Sequence, residues 1–562
     1  MNFYKHAYIV LYCLFFLACA RQTTPTGGPK DTIPPTLLGS YPRHGQINFN
    51  GNNIMLSFSE AIILNNVREQ LIITPGLPEN VDALAKKNDV TIDLNQPLAE
   101  NTTYTINFRE AVQDITEKNP ARNLKIAFST GSYLDSLSIE GYAFEMLTAK
   151  PVKDATVAIY ANDTLNIFQH KPPYFTKTDE AGYFKLENLK PGSYQIYGIQ
   201  DKNKNLVIDS KTESYGFLSN YVTLTSNAED ITIPLVRLDS RPLRLVNARP
   251  DVTYFSVNTS KALTSFAVHT EEDEHLIASF GKDQTNVRIY NTFEDRDSLK
   301  INFTGQDSIY NKIDTTLYVK FSTRVQRKDA FEVTTSGLSV IGAKGILEGN
   351  IKFSKPLLHI TYDSIYYQLD SAHRIQITPQ DVTLDTLHNF LTLRKAFDKT
   401  WIPQQETQGN SSRTATTSNT RKPDAKTPVN QFYFGKAAFI SIELDSSQQK
   451  AEPIKPMRLE ETGIIFVNIE TAAPSYFVQL LDKQFNVIRT KPGAPKISFE
   501  DLKPGDYQIR LILDDNNDGN WNPGNYYDNE QPEEIIFYQN DKGSPLVTLK
   551  ANWELGPLLI KH

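Results

Sequence analysis

One eight-residue segment of this chain occurs twice. Leu189-Lys-Pro-Gly-Ser-Tyr-Gln-Ile196 returns as Leu502-Lys-Pro-Gly-Asp-Tyr-Gln-Ile509, and the match runs on to Asp201-Lys-Asn203 and Asp514-Asp-Asn516. Each copy has the chemistry of a corner feeding a strand. Pro fixes φ, Gly accepts a positive φ, and the residues that follow alternate. An ungapped match of this length predicts a duplicated domain. Tyr194 and Tyr507 are expected to pack on the rim of a sheet, with the hydroxyl free to bond backbone.

The sequence around the repeats has the same character. Short alternating runs such as Ile54-Met-Leu-Ser-Phe58, Tyr104-Thr-Ile-Asn-Phe108 and Val152 to Tyr160 are broken by Gly, Pro, Asn and Asp. Turn signals about every ten residues predict β-sandwiches. The 27 Tyr and 30 Phe favour strands. Long helical periodicity is absent, and only Asn65 to Leu71 suggests a short helix. The expected fold is all-β, and 562 residues suggest about three to five domains. A net charge of -7 leaves no basic stripe to neutralise phosphates, so nucleic acid is not an expected partner.

The N-terminus reads as a lipoprotein signal. Lys5 and His6 precede an apolar run from Ala7 to Ala18, which is too short to span a bilayer. Ala18 is the small residue a signal peptidase needs, and Cys19 would become the acylated first residue of the mature chain. Phe16 departs from the Leu usual in such signals. More than one acyl chain on Cys19 would anchor the protein stably, making the membrane its first partner. Cys13 lies in the discarded run, so the mature chain can form no internal disulfide. Residues 19–34, rich in Pro, Gly and Thr, form a flexible tether. Residues 404–429, rich in Gln, Ser, Thr and Asn, are expected to be a disordered insertion.

Several stretches resemble known families. Ile139-Glu-Gly141, Pro151-Val-Lys-Asp-Ala155, Thr178-Asp179-Glu-Ala-Gly182-Tyr-Phe184 and Leu189-Lys-Pro-Gly192 together resemble a prealbumin-like, carboxypeptidase-regulatory-like (Cna-B-type) β-sandwich over residues 137–238. Residues 456–562 keep the Leu-Lys-Pro-Gly-x-Tyr corner but lack the Thr-Asp-x-x-Gly-x-Phe turn. The resemblance implies spacer sandwiches without catalytic residues. Residues 35–131 resemble the bacterial Ig-like domain named after S-layer proteins (SbsA-like), through Ile54-Met-Leu-Ser-Phe58-Ser-Glu60, Pro97-Leu98 and Phe128-Ser-Thr130. Ile351-Lys-Phe353-Ser-Lys-Pro-Leu357 suggests a relative of that domain over 331–448. Residues 240–330 are β-patterned and of no recognised type. The whole order, with Thr26-Gly-Gly-Pro-Lys-Asp31 after the cysteine, resembles lipoproteins of the Bacteroidetes. In that group, surface export goes with acidic residues after the cysteine. Ala20-Arg21-Gln22 stands here instead, which implies an outer-membrane lipoprotein facing the periplasm.

Candidate chemistry is sparse. Asp514, Asn516 and Asp518, followed by Gly519, place oxygen ligands at alternate positions and could wrap Ca²⁺. Asn525 stands where an EF-hand needs an acid, and a polar hairpin would use the same residues to satisfy turn backbone. The run Glu271-Glu-Asp-Glu274 between His269 and His275 reads as a solvated hairpin tip. There is no His-Glu-x-x-His, Gly-x-Ser-x-Gly or phosphate-cradling loop, so no catalytic residue is assigned. Asp followed by Ser or Thr and then an apolar residue or Thr occurs at nine positions, against roughly two or three by chance. The triplet resembles an O-glycosylation sequon of exported Bacteroidetes proteins. It marks Thr32, Ser136, Thr164, Ser298, Ser308, Thr315, Ser364, Ser371 and Thr386, although Asp-Ser and Asp-Thr also favour turns.

These observations predict tandem Ig-like and prealbumin-like β-sandwiches in a row behind a lipoprotein signal. The expected role is structural or binding, towards an envelope protein or polysaccharide. A carbohydrate- or cell-wall-binding module and a hydrolase hidden in residues 240–450 are the alternatives. The second repeat copy, last in the chain, would lie farthest from the membrane.

Overall fold

The computed structural model describes residues 31–161, 167–209, 212–239, 241–271, 276–290, 298–322, 329–402 and 429–562. Cys19, Thr164, the acidic run after Glu271 and nearly all of the 404–429 stretch lie outside them. The fold is all-β. The helix expected over Asn65–Leu71 shrinks to Val67–Gln70, because Asn66 is in the left-handed region at φ 44 and the strand Ile72–Thr74 follows at once.

Five apolar cores lie along the chain. The first gathers Ile54, Leu56, Phe58, Ile92 and Phe128. It sits beneath a sheet ordered Leu37–Tyr41, Asn53–Phe58, Asp89–Asp93, Asp82–Lys86, faced by Ile72–Thr74, Thr103–Asn107 and Lys125–Ser129. Alternation is the cause: Asn53–Phe58 buries every second residue. The third core, around Val257, Ile289 and Phe303, lies between a four-stranded and a three-stranded sheet. In the fourth, Lys450–Pro453 pairs with Gln431–Phe434, and Pro456–Met457 runs parallel to Val333–Ile341.

The second and fifth units share one topology. Leu137–Glu145 pairs antiparallel with Tyr183–Leu189 and parallel with Ala228–Arg237. Gly463–Glu470 pairs antiparallel with Lys496–Leu502 and parallel with Glu554–Lys561. Thr156–Tyr160 lies between Tyr174–Lys177 and Gly192–Ile199, as Tyr476–Asp482 lies between Val487–Pro492 and Gly505–Leu513. The repeated segment is the start of the matched strands Gly192–Ile199 and Gly505–Leu513. Its tyrosines do not sit on the rim. Tyr194 and Tyr507 are 4% and 7% exposed within the cores. Their hydroxyls donate to the carbonyls of Lys190 and Lys503 at 2.9 and 2.6 Å, pinning the corner to its strand.

The units do not form a row. The fifth unit folds back onto the second, so the second repeat copy is not the far end of a string. The reason is a sixth apolar cluster, shared between units.

Candidate functional site

The sixth cluster is built on the outer face of the second unit. Ala158, Tyr160, Tyr197, Ile199, Tyr215 and Phe217 are all buried there. Strand Thr156–Tyr160 is buried at every residue, which means that both of its faces are covered. The cover comes from two other units. Ile309 of the third unit is 1% exposed within the cluster, and Trp521, Tyr526 and Ile535 of the fifth pack against it. Tyr526 is the hub. Its ring lies 4.9 Å from Phe168 and 5.5 Å from Phe217, both edge-on, and 6.1 Å from Tyr197. Such pairs add about 0.5–1.5 kcal/mol each beyond the area they bury. Burial pushes the phenol pKa of Tyr160, Tyr197 and Tyr526 upward.

Polar contacts fix the register of this joint. Asn525 donates to the Ile309 carbonyl at 3.1 Å, and Asn529 to the Ser219 carbonyl at 3.0 Å. Arg510, 7% exposed, donates to the Leu147 carbonyl at 2.8 Å and to Gln479 Oε1 at 2.8 and 2.6 Å. These partners are neutral oxygens, and burial pulls its pKa below the usual arginine range.

The loop that carries Trp521 and Tyr526 starts at the predicted Asp514 motif. Asp514 is 4% exposed and accepts from Asp518 N at 3.0 Å and Gly519 N at 3.1 Å. Asn516 Oδ1 accepts from Asp518 N at 3.0 Å, and Asp518 Oδ1 from Asn520 N at 2.7 Å. Glu533 closes the loop by accepting from Asp515 N at 2.9 Å and Asn522 N at 2.7 Å. Burial pushes its carboxyl above the usual carboxylate range. The structure therefore brings Asp514, Asn516 and Asp518 into one loop, with their oxygens turned to the loop's own N–H groups. Among the described residues, no group of three or more His, Cys, Asp and Glu is placed to hold a metal ion.

The first repeat copy has the same device. Asp201 accepts from Asn205 N at 3.2 Å and Leu206 N at 2.8 Å. Glu213 accepts from Lys202 N and Asp209 N, both at 3.2 Å. The left-handed positions also match, at Lys204 (φ 62) and Leu206 (φ 67) against Asn517 (φ 56) and Gly519 (φ 74). Sequence comparison found Asp201 and Asp514 but missed Glu213, Glu533 and Tyr526.

Of the residues marked for glycosylation, Thr32, Ser136, Ser298, Ser308, Ser371 and Thr386 are exposed, and Thr315 and Ser364 are half-buried. Four of the preceding aspartates work in turns. Asp31 accepts from Ile33 N at 2.9 Å, Asp307 from Ile309 N at 3.0 Å, Asp370 from Ala372 N at 2.8 Å and Asp385 from Asn389 N at 2.7 Å.

A cleft of about 850 Å³ lies within residues 240–450, between the third and fourth units, and is lined by Arg288, Asp329 and Asp385 among others. Arg288 donates to Asp329 at 2.8 Å, and Asp385 is held by its own turn. These two carboxylates are committed to local partners.

Residues 31–130 match the family model of a bacterial Ig-like domain. No curated protein matches the chain. Among solved structures, the major pilin subunit BcpA of Bacillus cereus is 11% identical, covering 76% of this chain and 98% of its own, with a TM-score of 0.13. The S-layer protein SbsC is 10% identical, covering 85% of this chain and 65% of its own, with a TM-score of 0.13. The BSP domain of a biofilm-associated protein is 7% identical, covering 95% of this chain and 99% of its own, with a TM-score of 0.14.

Proposed function

We propose that this chain is a lipid-anchored protein of the bacterial cell envelope, with a structural or binding role outside the cytoplasm. The observation that carries the reading is the order at the N-terminus. A bacterial Ig-like unit at residues 31–130 follows closely on the Ala18-Cys19 junction of a short apolar run. The acyl chains sit on Cys19, and the sandwiches face the periplasm from the outer membrane. The units act as a braced block, not an extended stalk, because the fifth is seated on the second. No catalytic step is assigned, and the exposed Ser and Thr of the Asp triplets are the sites for glycans.

Intact-mass analysis of the native protein tests the anchor and the glycans together. The mass expected is that of the chain from Cys19 plus acyl chains and sugar, with Cys19→Ser leaving the protein unprocessed and unlipidated. A mature protein that begins elsewhere and carries no acyl chain would overturn the anchor. Lipid as the sole added mass would overturn the glycans. Rapid cleavage by protease added to intact cells would overturn the periplasmic orientation.

A further inference from the structure

The second, third and fifth units leave a cleft of about 830 Å³ beside their joint. That is within the size range of ligand sites, about 300–1,000 Å³. Its walls include the rings of Trp521 and Tyr310, with Arg237, Gln306, Asp518 and Asn520 around them.

The Trp521 ring and the Tyr310 backbone are held in place. The Trp521 indole N–H donates to the Glu533 carbonyl at 2.9 Å, while the ring also packs against the aromatic joint. Tyr310 sits at φ 63, a left-handed conformation that a bulky L-residue rarely adopts. The turn that imposes it is anchored by Asp307, which accepts from Ile309 N at 3.0 Å and Asn311 N at 2.9 Å. Asp307 is in turn paired with the buried ammonium of Lys261. This arrangement drives Ile309 into the joint and leaves Tyr310, 38% exposed, on the cleft wall.

We infer that this cleft binds a neutral oligosaccharide. Sugar rings combine apolar C–H faces with hydroxyls that both donate and accept. Trp521 and Tyr310 offer flat apolar surfaces for the faces. Arg237 donates, Glu145 and Asp518 accept alongside their local bonds from Thr148 and Asn520, and the amides of Gln306 and Asn520 do both. Glu145 and Asp518 face Arg237 across the lining, with Asp307 neutralised by Lys261, and this slight excess of carboxylates suits an uncharged ligand better than a polyanion. The inference does not depend on the lipid anchor, since the described lining residues belong to the second, third and fifth units.

The test is calorimetric titration of the full mature chain with four neutral hexasaccharides: cellohexaose, chitohexaose, mannohexaose and xylohexaose. Tryptophan emission is followed in parallel, and each titration is repeated on Cys19→Ser protein. At least one sugar is expected to bind with Kd below about 1 mM and to shift the emission. Tyr310→Ala and Arg237→Ala should each weaken binding roughly tenfold. Arg237 lies outside the Trp521 loop, so its variant separates binding from loop folding. Trp521→Phe should remove the emission change. No heat with any of the four sugars would overturn the inference, as would unchanged affinity in both the Tyr310 and Arg237 variants. Binding of unstructured peptides in place of sugars would overturn it in favour of a peptide groove. Binding that persists in Cys19→Ser protein would separate the cleft from the anchor.

Discussion

The two repeat copies carry the same Asp–Glu loop and use it differently. In the first copy, Lys202 and Glu213 are 11 residues apart, and the loop meets the first unit through the ion pair of Lys204 with Glu69. In the second copy, the matched Asp515 and Glu533 are 18 residues apart, and the added length carries Tyr526 onto the face of the first copy. The hairpin root is unchanged: a buried Asp, two backbone donors, a left-handed position and a closing Glu. What differs is the chemistry at the tip. An exposed ion pair contributes little in water. An aromatic residue wedged among Phe168, Tyr197, Tyr215 and Phe217 joins two domains.

Replacing the wedge should break the comparison most severely. Tyr526→Ala is expected to cost about 3 kcal/mol of joint stability, read as an earlier, separate unfolding step of the fifth unit in calorimetry. A single unchanged transition would show that the wedge carries no load. Next is the closing acid. Glu533→Ala leaves two backbone donors without their acceptor and should cost about 2 kcal/mol, with the 514–533 segment becoming protease-sensitive. Glu213→Ala should open only its own loop and leave the joint intact, so equal release of the fifth unit by both variants would contradict the difference in role.

A smaller effect is expected at Gly519. An added Cβ there would meet nothing within 4 Å, so Gly519→Ala should cost about 1 kcal/mol through backbone strain alone. The Glu533 carboxyl gives a pH dependence. Its folded-state pKa is raised, so the folded protein takes up its proton before the unfolded chain does. Stability from this group is therefore fully present below the unfolded-state value and is lost as pH climbs through the raised folded-state value. Glu533→Gln should flatten that slope in denaturant titrations, and a slope unchanged in Glu533→Gln would assign it to another group. Least of all, Lys204→Ala should leave the melting temperature unchanged within about 1 °C.

Much of this was legible in the sequence. Alternation along Asn53–Phe58, the repeated corner and the Pro/Gly turns each report local physics, so the sandwiches and the duplication could be read directly. The joint was harder to see, because nothing in an isolated strand says what covers its second face. A signal was nevertheless present. Val157-Ala-Ile-Tyr160 and Ile509-Arg-Leu-Ile-Leu513 do not alternate, and Tyr197 and Tyr215 add aromatics where an exposed face would be polar. Such runs mark strands covered on both sides. Glu213 and Glu533 escaped notice because loops of different length hide their equivalence. The triplets at Asp31, Asp307, Asp370 and Asp385 sit at turns, where the carboxylate accepts from N–H groups two to five residues on, a pattern that a sequon shares.

The return of the fifth unit onto the second is the central claim. It is tested most directly by a distance. Spin labels at Ser219→Cys and Asn529→Cys, in a background with Cys13 and Cys19 both replaced by Ser, mark two residues joined by a 3.0 Å hydrogen bond. Double electron–electron resonance should give one narrow distribution below about 25 Å, broadened in Tyr526→Ala. Units of about 100 residues laid end to end would place the labels more than about 50 Å apart, and a distribution centred there would contradict the account.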